Sequence, residues 1–302
     1  MKRVKYIGGR APKDSNVIWG GTIATNTAIA KAFEGDKEFH FEAMYRDDLG
    51  ANLTIEDIKD FIKNADVVHA DDTSVISFML QNDIVPDVIG PIARSPIKDY
   101  VGWDCPYSDK VKQFYSAKVI RLNYAEEKDN EHLVTLIRHG VDLVGLQPSY
   151  SKKRKYILWA GDANRYAKNV DLFTEVSKMV LPEPYEWKLL SGYNVQDYWD
   201  ILDETAILVN TSRYESFCAA MAEARAKGVP VIYKRGLHGP GVQEDGRIQV
   251  EYNAKAYQKA ITELIHNPGR LNTEGRLSRM FISRFSLENM RDDIAKVYRS
   301  VL

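Results

Sequence analysis

Short apolar runs alternate with amphipathic helical patterns along almost the whole chain. The run VKYIGG has the composition of a strand that ends in glycines, and NVIWGGTIATNTAIAKAF after it carries apolar residues at helical spacing. The pattern continues with the strand-like FHFEAMY and with TIEDIKDFIKNA, an amphipathic helix for which Thr54 is the expected N-cap. Because strands that alternate with helices form mainly parallel sheets covered by helices, the sequence predicts an α/β fold.

The chain is long enough for two such domains. Its 302 residues exceed the usual size of one domain, and a polar, basic stretch, QPSYSKKRK, interrupts the alternation near residue 150. The alternation starts again at KYILWAG and ends in a long helix predicted from about residue 272 to 302. We therefore predict two domains, spanning residues 1–148 and 149–302.

Composition limits the classes of partner and compartment. Forty-one basic and 42 acidic residues leave a net charge of -1, so bulk charge does not favour a polyanion, although a local basic groove is compatible with it. Cys105 and Cys218 lie far apart and outside any metal-ligand spacing, which predicts reduced thiols in a cytoplasmic protein. No signal-peptide pattern and no stretch of 18 apolar residues is present, so we predict neither secretion nor a membrane span.

The glycines of the first half disfavour a nicotinamide-dependent dehydrogenase. Such enzymes need a compact G-x-G-x-x-G turn, whereas Gly8-Gly9 and Gly20-Gly21 are separated by a long polar loop.

The second half carries an ordered set of features around two glutamates. A strand-like run, ILVNTS, is followed by Glu215, by Glu223 eight positions later, by Gly228-Val229-Pro230 and by a glycine-rich loop from Gly236. This order resembles the donor-site region of the retaining glycosyltransferases of family 4. Further segments resemble that family at its interdomain turn, its phosphate segment and its closing helix, namely IRHGVDL, LWAGDANRYAKNVDLF and RFSLENMRDDIAKVYRSVL. The resemblance covers most of residues 137–302 and covers residues 1–136 only loosely.

The resemblance implies a fold and an activity. The fold is the B-type glycosyltransferase fold of two facing Rossmann-like domains, with a final helix, about residues 287–302, that crosses back to the first domain. The activity is transfer of a sugar from a nucleoside diphosphate sugar to an acceptor hydroxyl, with retention and without a metal ion or other cofactor. Two alternatives stay open: a nucleotide-sugar epimerase of the same architecture, and a degenerate protein that binds a nucleotide sugar or glycan without catalysis.

The resemblance assigns the two glutamates to opposite ends of the donor. Glu223 would accept hydrogen bonds from the ribose hydroxyls and Glu215 would contact the transferred sugar, while the amides of Ser216 and Phe217 would face the diphosphate or the sugar. On one continuous helix, eight residues turn by about 800° and rise by about 12 Å, so both carboxylates would point to one side. The alternative is that Glu215 favours the helix dipole and Glu223 is an exposed helix former.

For the diphosphate, the resemblance points to Arg165 and Lys168, although two solvated loop cations are the alternative. This sequence departs from the family by having Asp162 where arginine usually follows the glycine, and Asn169 in place of a second glycine. In the first half, Gly20 and Gly21 resemble a glycine loop that approaches the donor phosphates, unless they form a simple tight turn. His238 would hydrogen-bond the donor or would have no role. 

The acceptor side is the least defined part of the sequence. Family members often carry a histidine there, but the corresponding segment, PDVIGPIARSP, has none, and Arg94 is its nearest polar residue. His69 and the pair Asp71 and Asp72 are the alternatives, because acids at the carboxyl end of a strand lie where ligands bind in open α/β sheets. The acceptor itself (glycan, lipid-linked glycan, protein, small metabolite or modified DNA base), the base and sugar of the donor, and the oligomeric state are left open.

Overall fold

A computed structural model describes residues 1–9, 21–46, 54–71, 73–92, 118–122, 134–148, 153–215, 217–237 and 247–302. The chain divides into two compact units. Unit 1 contains the N-terminal strand, Thr22–Gly140 and the C-terminal segment Leu287–Leu302. Unit 2 contains Val141–Ser286.

Each unit is built from parallel strands and helices. The strands are β1 (Lys2–Gly8), β2 (Phe39–Tyr45), β3 (Val67–Ala70), β4 (Val88–Ile92), β5 (Lys118–Leu122), β6 (Val134–Ile137), β7 (Tyr156–Ala160), β8 (Glu186–Leu190), β9 (Thr205–Asn210), β10 (Val231–Lys234) and β11 (Gln249–Val250). The helices are α1 (Gly21–Ala32), α2 (Ile55–Ile62), α3 (Thr73–Gln81), α4 (Val170–Val176), α5 (Val195–Asp203), α6 (Ala219–Ala226), α7 (Ala254–Ile265), α8 (Pro268–Ile282) and α9 (Leu287–Arg299). No helix in the described ranges combines the length and the hydrophobicity that crossing a bilayer requires.

In unit 1 the strand order is β2-β1-β3-β4-β5-β6, and the described pairings are parallel. Alternation along β1 explains how both faces are covered. Val4 and Tyr6 belong to a core with residues of α1 and α9, whereas Ile7 belongs to a core with residues of α3. Thr54 caps α2 as predicted: its hydroxyl accepts from Asp57 N at 3.2 Å, and Asp57 Oδ2 accepts from Thr54 N at 2.9 Å.

The division between the units falls after Gly140 instead of after residue 148. Val141 forms a parallel bridge with Ser286, and Leu146 is buried in a core of unit 2. The predicted single helix over 272–302 is wrong. It is divided into α8 and α9 by a 3-10 turn at Ser283–Phe285 and by Ser286, whose backbone is extended.

In unit 2 the strand order is β11-β10-β9-β7-β8, again with parallel pairings. The chain therefore leaves β7 toward β8 and returns on the other side of β7 to form β9. Ligands of open α/β sheets bind at such a change of direction, beside the carboxyl ends of the strands. The loops that follow β7 and β9 carry the residues described next.

Candidate functional site

Lys168 and Glu215 meet where β7 and β9 end. Lys168 closes a 3-10 turn (Tyr166–Lys168) after β7, and Glu215 follows β9. Lys168 Nζ donates to Glu215 Oε1 across 2.6 Å, and the Ser212 hydroxyl donates to the same oxygen at 2.6 Å. The side chains of the pair are only 19% and 10% exposed. The structure thus joins two residues that the sequence predicts as site residues, and adds Ser212 as the third member.

The contact between Lys168 and Glu215 also affects the pKa values of Lys168 and of the neighbouring thiol of Cys218. Burial alone would lower the pKa of Lys168, but nearby Cys218 and Glu215 act in the opposite direction and the pKa is raised overall. Burial, with help from Glu215, raises the pKa of the Cys218 thiol to about 12, so this thiol is neutral near pH 7. Glu215 is therefore the anion that keeps Lys168 charged.

Asn169 accounts for the missing second glycine of the phosphate segment. Its φ of 50° and ψ of 59° lie in the left-handed region, which favours glycine and which asparagine tolerates better than most residues. The side chain is engaged on both sides: Nδ2 donates to Tyr252 Oη at 2.6 Å, and Oδ1 accepts from Arg213 Nη2 at 3.0 Å. Asparagine thus supplies the backbone geometry of glycine together with two additional hydrogen bonds.

Backbone contacts hold the same loop against the end of β9. Thr211 Oγ1 donates to the carbonyl of Asn169 at 2.9 Å and accepts from Trp159 Nε1 at 2.9 Å. Arg213 N donates to the carbonyl of Ala167 at 2.8 Å. These contacts fix the residues on both sides of Lys168, so its ammonium group approaches Glu215 from a rigid loop.

Arg165 and Asp162 lie at the exposed start of this loop. Asp162 Oδ1 accepts from Asn164 N at 3.0 Å, which gives this acid a turn-forming role where the family has arginine. Arg165 is exposed, and its charge opposes protonation of Lys168, which places the two cations near each other.

Glu215 does not lie on the helix that carries Glu223. Helix α6 begins at Ala219, and its N-cap, Cys218, has a left-handed φ of 64° that no α-helix can include. The predicted geometry of one helix through both glutamates is therefore wrong. Ser212 and Lys168 hold Glu215 instead, and the side chain of Phe217 is buried and packs 5.9 Å from the ring of Phe285.

Glu223 is buried in the middle of α6, with 6% exposure, so the alternative of an exposed helix former is wrong. Both carboxylates act on one phenol: burial raises the pKa of Tyr193 most, and nearby Glu223, Cys218 and Glu215 raise it further. The two glutamates therefore share one neighbourhood in unit 2, even though no single helix aligns them.

The far end of α6 is anchored by glycine and arginine. Gly228, with a φ of 69°, ends the helix with bonds from Gly228 N to Arg225 O and from Val229 N to Ala224 O. Arg154 donates to the carbonyls of Lys227 and Gly228 at 2.6 and 2.7 Å. Arg279 donates to the carbonyls of Ala226, Leu146 and Leu143. The bonds to Ala226 and Lys227 satisfy carbonyls that the end of a helix leaves open, and the bonds to Leu146 and Leu143 join α8 to the segment before β7.

In unit 1, Asp71 follows β3 beside the end of β1, as predicted for an acid at a sheet edge. It is 7% exposed, and its Oδ2 lies 3.1 Å from the Tyr6 hydroxyl, which is also 2.8 Å from Asn26 Oδ1. His69 is enclosed in the unit 1 core, where its ring nitrogens contact Tyr298 Oη at 2.8 Å and Gly90 O at 2.6 Å. Burial lowers its pKa to about 4.

Of the remaining predicted residues, Gly21 is the first residue of α1. The others lie outside the described residues, namely Gly20, Asp72, Arg94, Ser216 and His238.

Besides Ser212, three residues near this site were missed by sequence reasoning. Tyr252 and Arg213 hold Asn169 from 83 and 44 positions away, and Tyr193 follows a different strand, β8. Asparagine in place of glycine at 169 was the one local signal that could have indicated a left-handed residue, but it identified none of these three residues.

Known proteins resemble this chain in structure, although no protein-family model and no curated protein matches its sequence. A sucrose-phosphate synthase from Thermosynechococcus elongatus is 14% identical, with a TM-score of 0.70 over 100% of this chain and 99% of the other. HepE from Anabaena, solved with UDP-glucose, is 12% identical, with a TM-score of 0.68 over 99% and 100%. An alpha-glucosyltransferase solved with UDP and a 13-mer DNA is 10% identical, with a TM-score of 0.67 over 98% and 100%. Since these matches run through both chains from end to end, this chain has the B-type glycosyltransferase fold of two Rossmann-like domains.

Proposed function

We propose that the chain transfers a sugar from a nucleoside diphosphate sugar to an acceptor hydroxyl, with retention of configuration and without a metal ion. The observation that carries this proposal is the buried pair of Lys168 and Glu215 at the change of direction between β7 and β9, with Glu223 in the same neighbourhood. An amine and two carboxylates at such an edge suit a ligand that is anionic at its centre and rich in hydroxyls at both ends.

Lys168 and Arg165 would bind the diphosphate. Negative charge grows on the leaving phosphate as the glycosidic bond breaks, so fixed cations stabilise the transition state more than the ground state. Glu215 has a second use here, because a buried lysine without an anion tends to lose its proton. The carboxylate keeps Lys168 charged until the diphosphate arrives.

The carboxylates would bind the two ends of the donor. Glu215 contacts the transferred sugar and Glu223 the ribose hydroxyls, with the amides of Ser216 and Phe217 toward the diphosphate or the sugar. Gly20, Gly21 and His238 would complete the donor site, and Asp71, Asp72 and Arg94 the acceptor side. 

Retention would follow from reaction on one face of the sugar, where the leaving phosphate itself helps to deprotonate the acceptor hydroxyl. This mechanism needs no histidine base in the first domain, which suits a chain that lacks one in the corresponding segment. Because lysine and arginine already supply positive charge to the diphosphate, the proposal also predicts that a chelator leaves the activity unchanged.

Structural neighbours support the choice of donor class. HepE was solved with UDP-glucose, and the alpha-glucosyltransferase with UDP and DNA. UDP-glucose is therefore the first donor to test, and DNA belongs among the acceptors to test.

The test is release of nucleoside diphosphate from UDP-, GDP- and ADP-sugars, with and without acceptors, by wild type, Glu215→Gln and Glu223→Ala. Glu175→Gln, an exposed substitution on α4, is the matched control. We expect release with one donor, loss in both site variants, retention in the control and no effect of a chelator. Conversion of the donor into an isomer would indicate an epimerase instead, and binding without any turnover would indicate the degenerate protein.

A further inference from the structure

Tyr193 lies beside the two glutamates but has no part in the roles given so far. It follows β8, the strand next to β7, and its ring packs 5.1 Å from that of Tyr198 in the core that also contains Cys218 and Ala222. Gly192, with a φ of 66°, and Asn194, which caps α5 through Asp197 N, hold the short connection on both sides. The ring is therefore fixed before any ligand arrives.

The hydroxyl group of Tyr193 is unusual among the buried tyrosines of unit 2. The residue is only 9% exposed, yet its hydroxyl has no hydrogen-bond partner among the described residues. Tyr198 and Tyr257, by contrast, donate to the carbonyls of Ala220 and Asn210 at 2.7 and 2.9 Å. Buried phenols normally find a partner, because leaving the group unpaired costs free energy. Among the described residues, the fully enclosed side-chain atoms without a hydrogen-bond partner do not include this oxygen, so it keeps some exposure to solvent.

Its neighbours determine what kind of ligand fits. The carboxylates of Glu223 and Glu215 can only accept hydrogen bonds, whereas the phenol, whose pKa is raised by burial and then by these charges, stays protonated and can donate. Neither carboxylate is hydrogen-bonded to it. A ligand hydroxyl fits both kinds of group, because it can donate a hydrogen bond to a carboxylate while its oxygen accepts a hydrogen bond from the phenol.

We propose that Tyr193 is a further residue that binds the nucleotide sugar. Its phenol donates a hydrogen bond to the oxygen of a ribose hydroxyl, and that hydroxyl donates a hydrogen bond to the carboxylate of Glu223. This inference rests on the proposed function, since it takes Glu223 as the ribose ligand. Tyr193 and Glu223 would therefore select ribonucleotides over deoxyribonucleotides. A ribose position without its hydroxyl can neither donate a hydrogen bond to Glu223 nor accept one from Tyr193.

Calorimetry first identifies which of UDP, GDP and ADP wild type binds most tightly. The affinity of Tyr193→Phe for that nucleoside diphosphate is then compared with the affinity of wild type. Each protein is also titrated with the 2′-deoxy and 3′-deoxy forms of that nucleotide. Phenylalanine keeps the buried ring, so the fold is preserved, and Tyr185→Phe, before the opposite end of β8, is the matched control. We expect about tenfold weaker binding of the ribonucleotide by Tyr193→Phe, in line with the loss of one hydrogen bond. One deoxy form should bind wild type and variant equally.

The outcomes separate the two proposals. If wild type binds no nucleoside diphosphate, the proposed function fails and this inference fails with it. If wild type binds but Tyr193→Phe binds the ribonucleotide equally well, the inference is wrong while the proposed function stands. Equal weakening for the ribonucleotide and both deoxy forms would also overturn it, because it would indicate a general effect on packing.

Discussion

Lys168 Nζ lies 2.6 Å from Glu215 Oε1, although 47 positions separate the two residues in the chain. One follows β7 and the other follows β9, and these strands are neighbours because the chain changes direction between them. The pair is mostly buried, so each charge depends on the other. A buried ion pair is costly to break from one side, because the remaining charge is left without a partner.

Substitution of Lys168 by methionine should therefore destabilise unit 2 by about 3 kcal/mol, and Glu215→Gln added to it should restore part of the loss. Urea unfolding of wild type, both single variants and the double variant measures the coupling. Strictly additive effects of the two substitutions would contradict the interdependence of the pair.

Substitutions at Asn169 can separate the cost of its left-handed backbone conformation from the contribution of its two side-chain hydrogen bonds. Asn169→Gly keeps the left-handed conformation and loses two hydrogen bonds, whereas Asn169→Ala loses the same bonds and also places a Cβ at a φ of 50°. We expect the alanine variant to be less stable than the glycine variant by about 1 kcal/mol. Urea unfolding measures this difference, and donor-dependent nucleotide release should decline in the same order. Equal stability of the two variants would show that strain at this position is negligible.

The end of α6 should depend on the fork of Arg279. Its guanidinium donates to three backbone carbonyls, those of Ala226, Leu146 and Leu143, which lysine cannot reach together. We expect Arg279→Lys to lower the free energy of unfolding by about 2 kcal/mol, since carbonyls lose their donors. The exposed Arg276→Lys on the same helix is the control, and a similar loss there would refute a specific role for the fork.

Two buried histidines should make unit 1 sensitive to acid. Burial lowers the pKa of His69 and of His139 from 6.5 to about 4. Between pH 6.5 and about pH 4, both histidines are protonated in the unfolded chain but neutral in the folded chain. The free energy of unfolding therefore falls as the pH drops through this range. From pH 7 to pH 5 the loss should be about 2 kcal/mol for each histidine. Urea unfolding of His69→Gln should show a shallower pH dependence than wild type, and an equal pH dependence of the two proteins would contradict the lowered pKa of His69.

Cys218 should react slowly with alkylating agents, because its pKa of about 12 leaves little thiolate at pH 8. In a Cys105→Ser background, iodoacetamide should modify the folded protein at least about a hundredfold more slowly than the same protein in urea. Comparable rates in the two states would show that the thiol is neither buried nor neutral as described.

Local patterns predicted much of this protein because their physical causes are local. The alternation of period two and period 3.6 predicted the strand and helix types, and Thr54 predicted the start of α2. The resemblance carried by Glu215, Glu223 and the phosphate segment led to the fold that the solved structures share. The roles of the site residues stay predictions.

What the sequence determined by itself was the fold class and the identity of the charged residues at two strand ends. Only the tertiary structure decided that Glu215 leaves the helix, that Asn169 is held by Tyr252 and Arg213, and that Tyr193 stands beside the glutamates with an open hydroxyl. The reason is that these contacts join loops from different strands. Which loops meet depends on strand order in the sheet, and strand order is fixed by packing of the whole unit instead of by any segment of the chain.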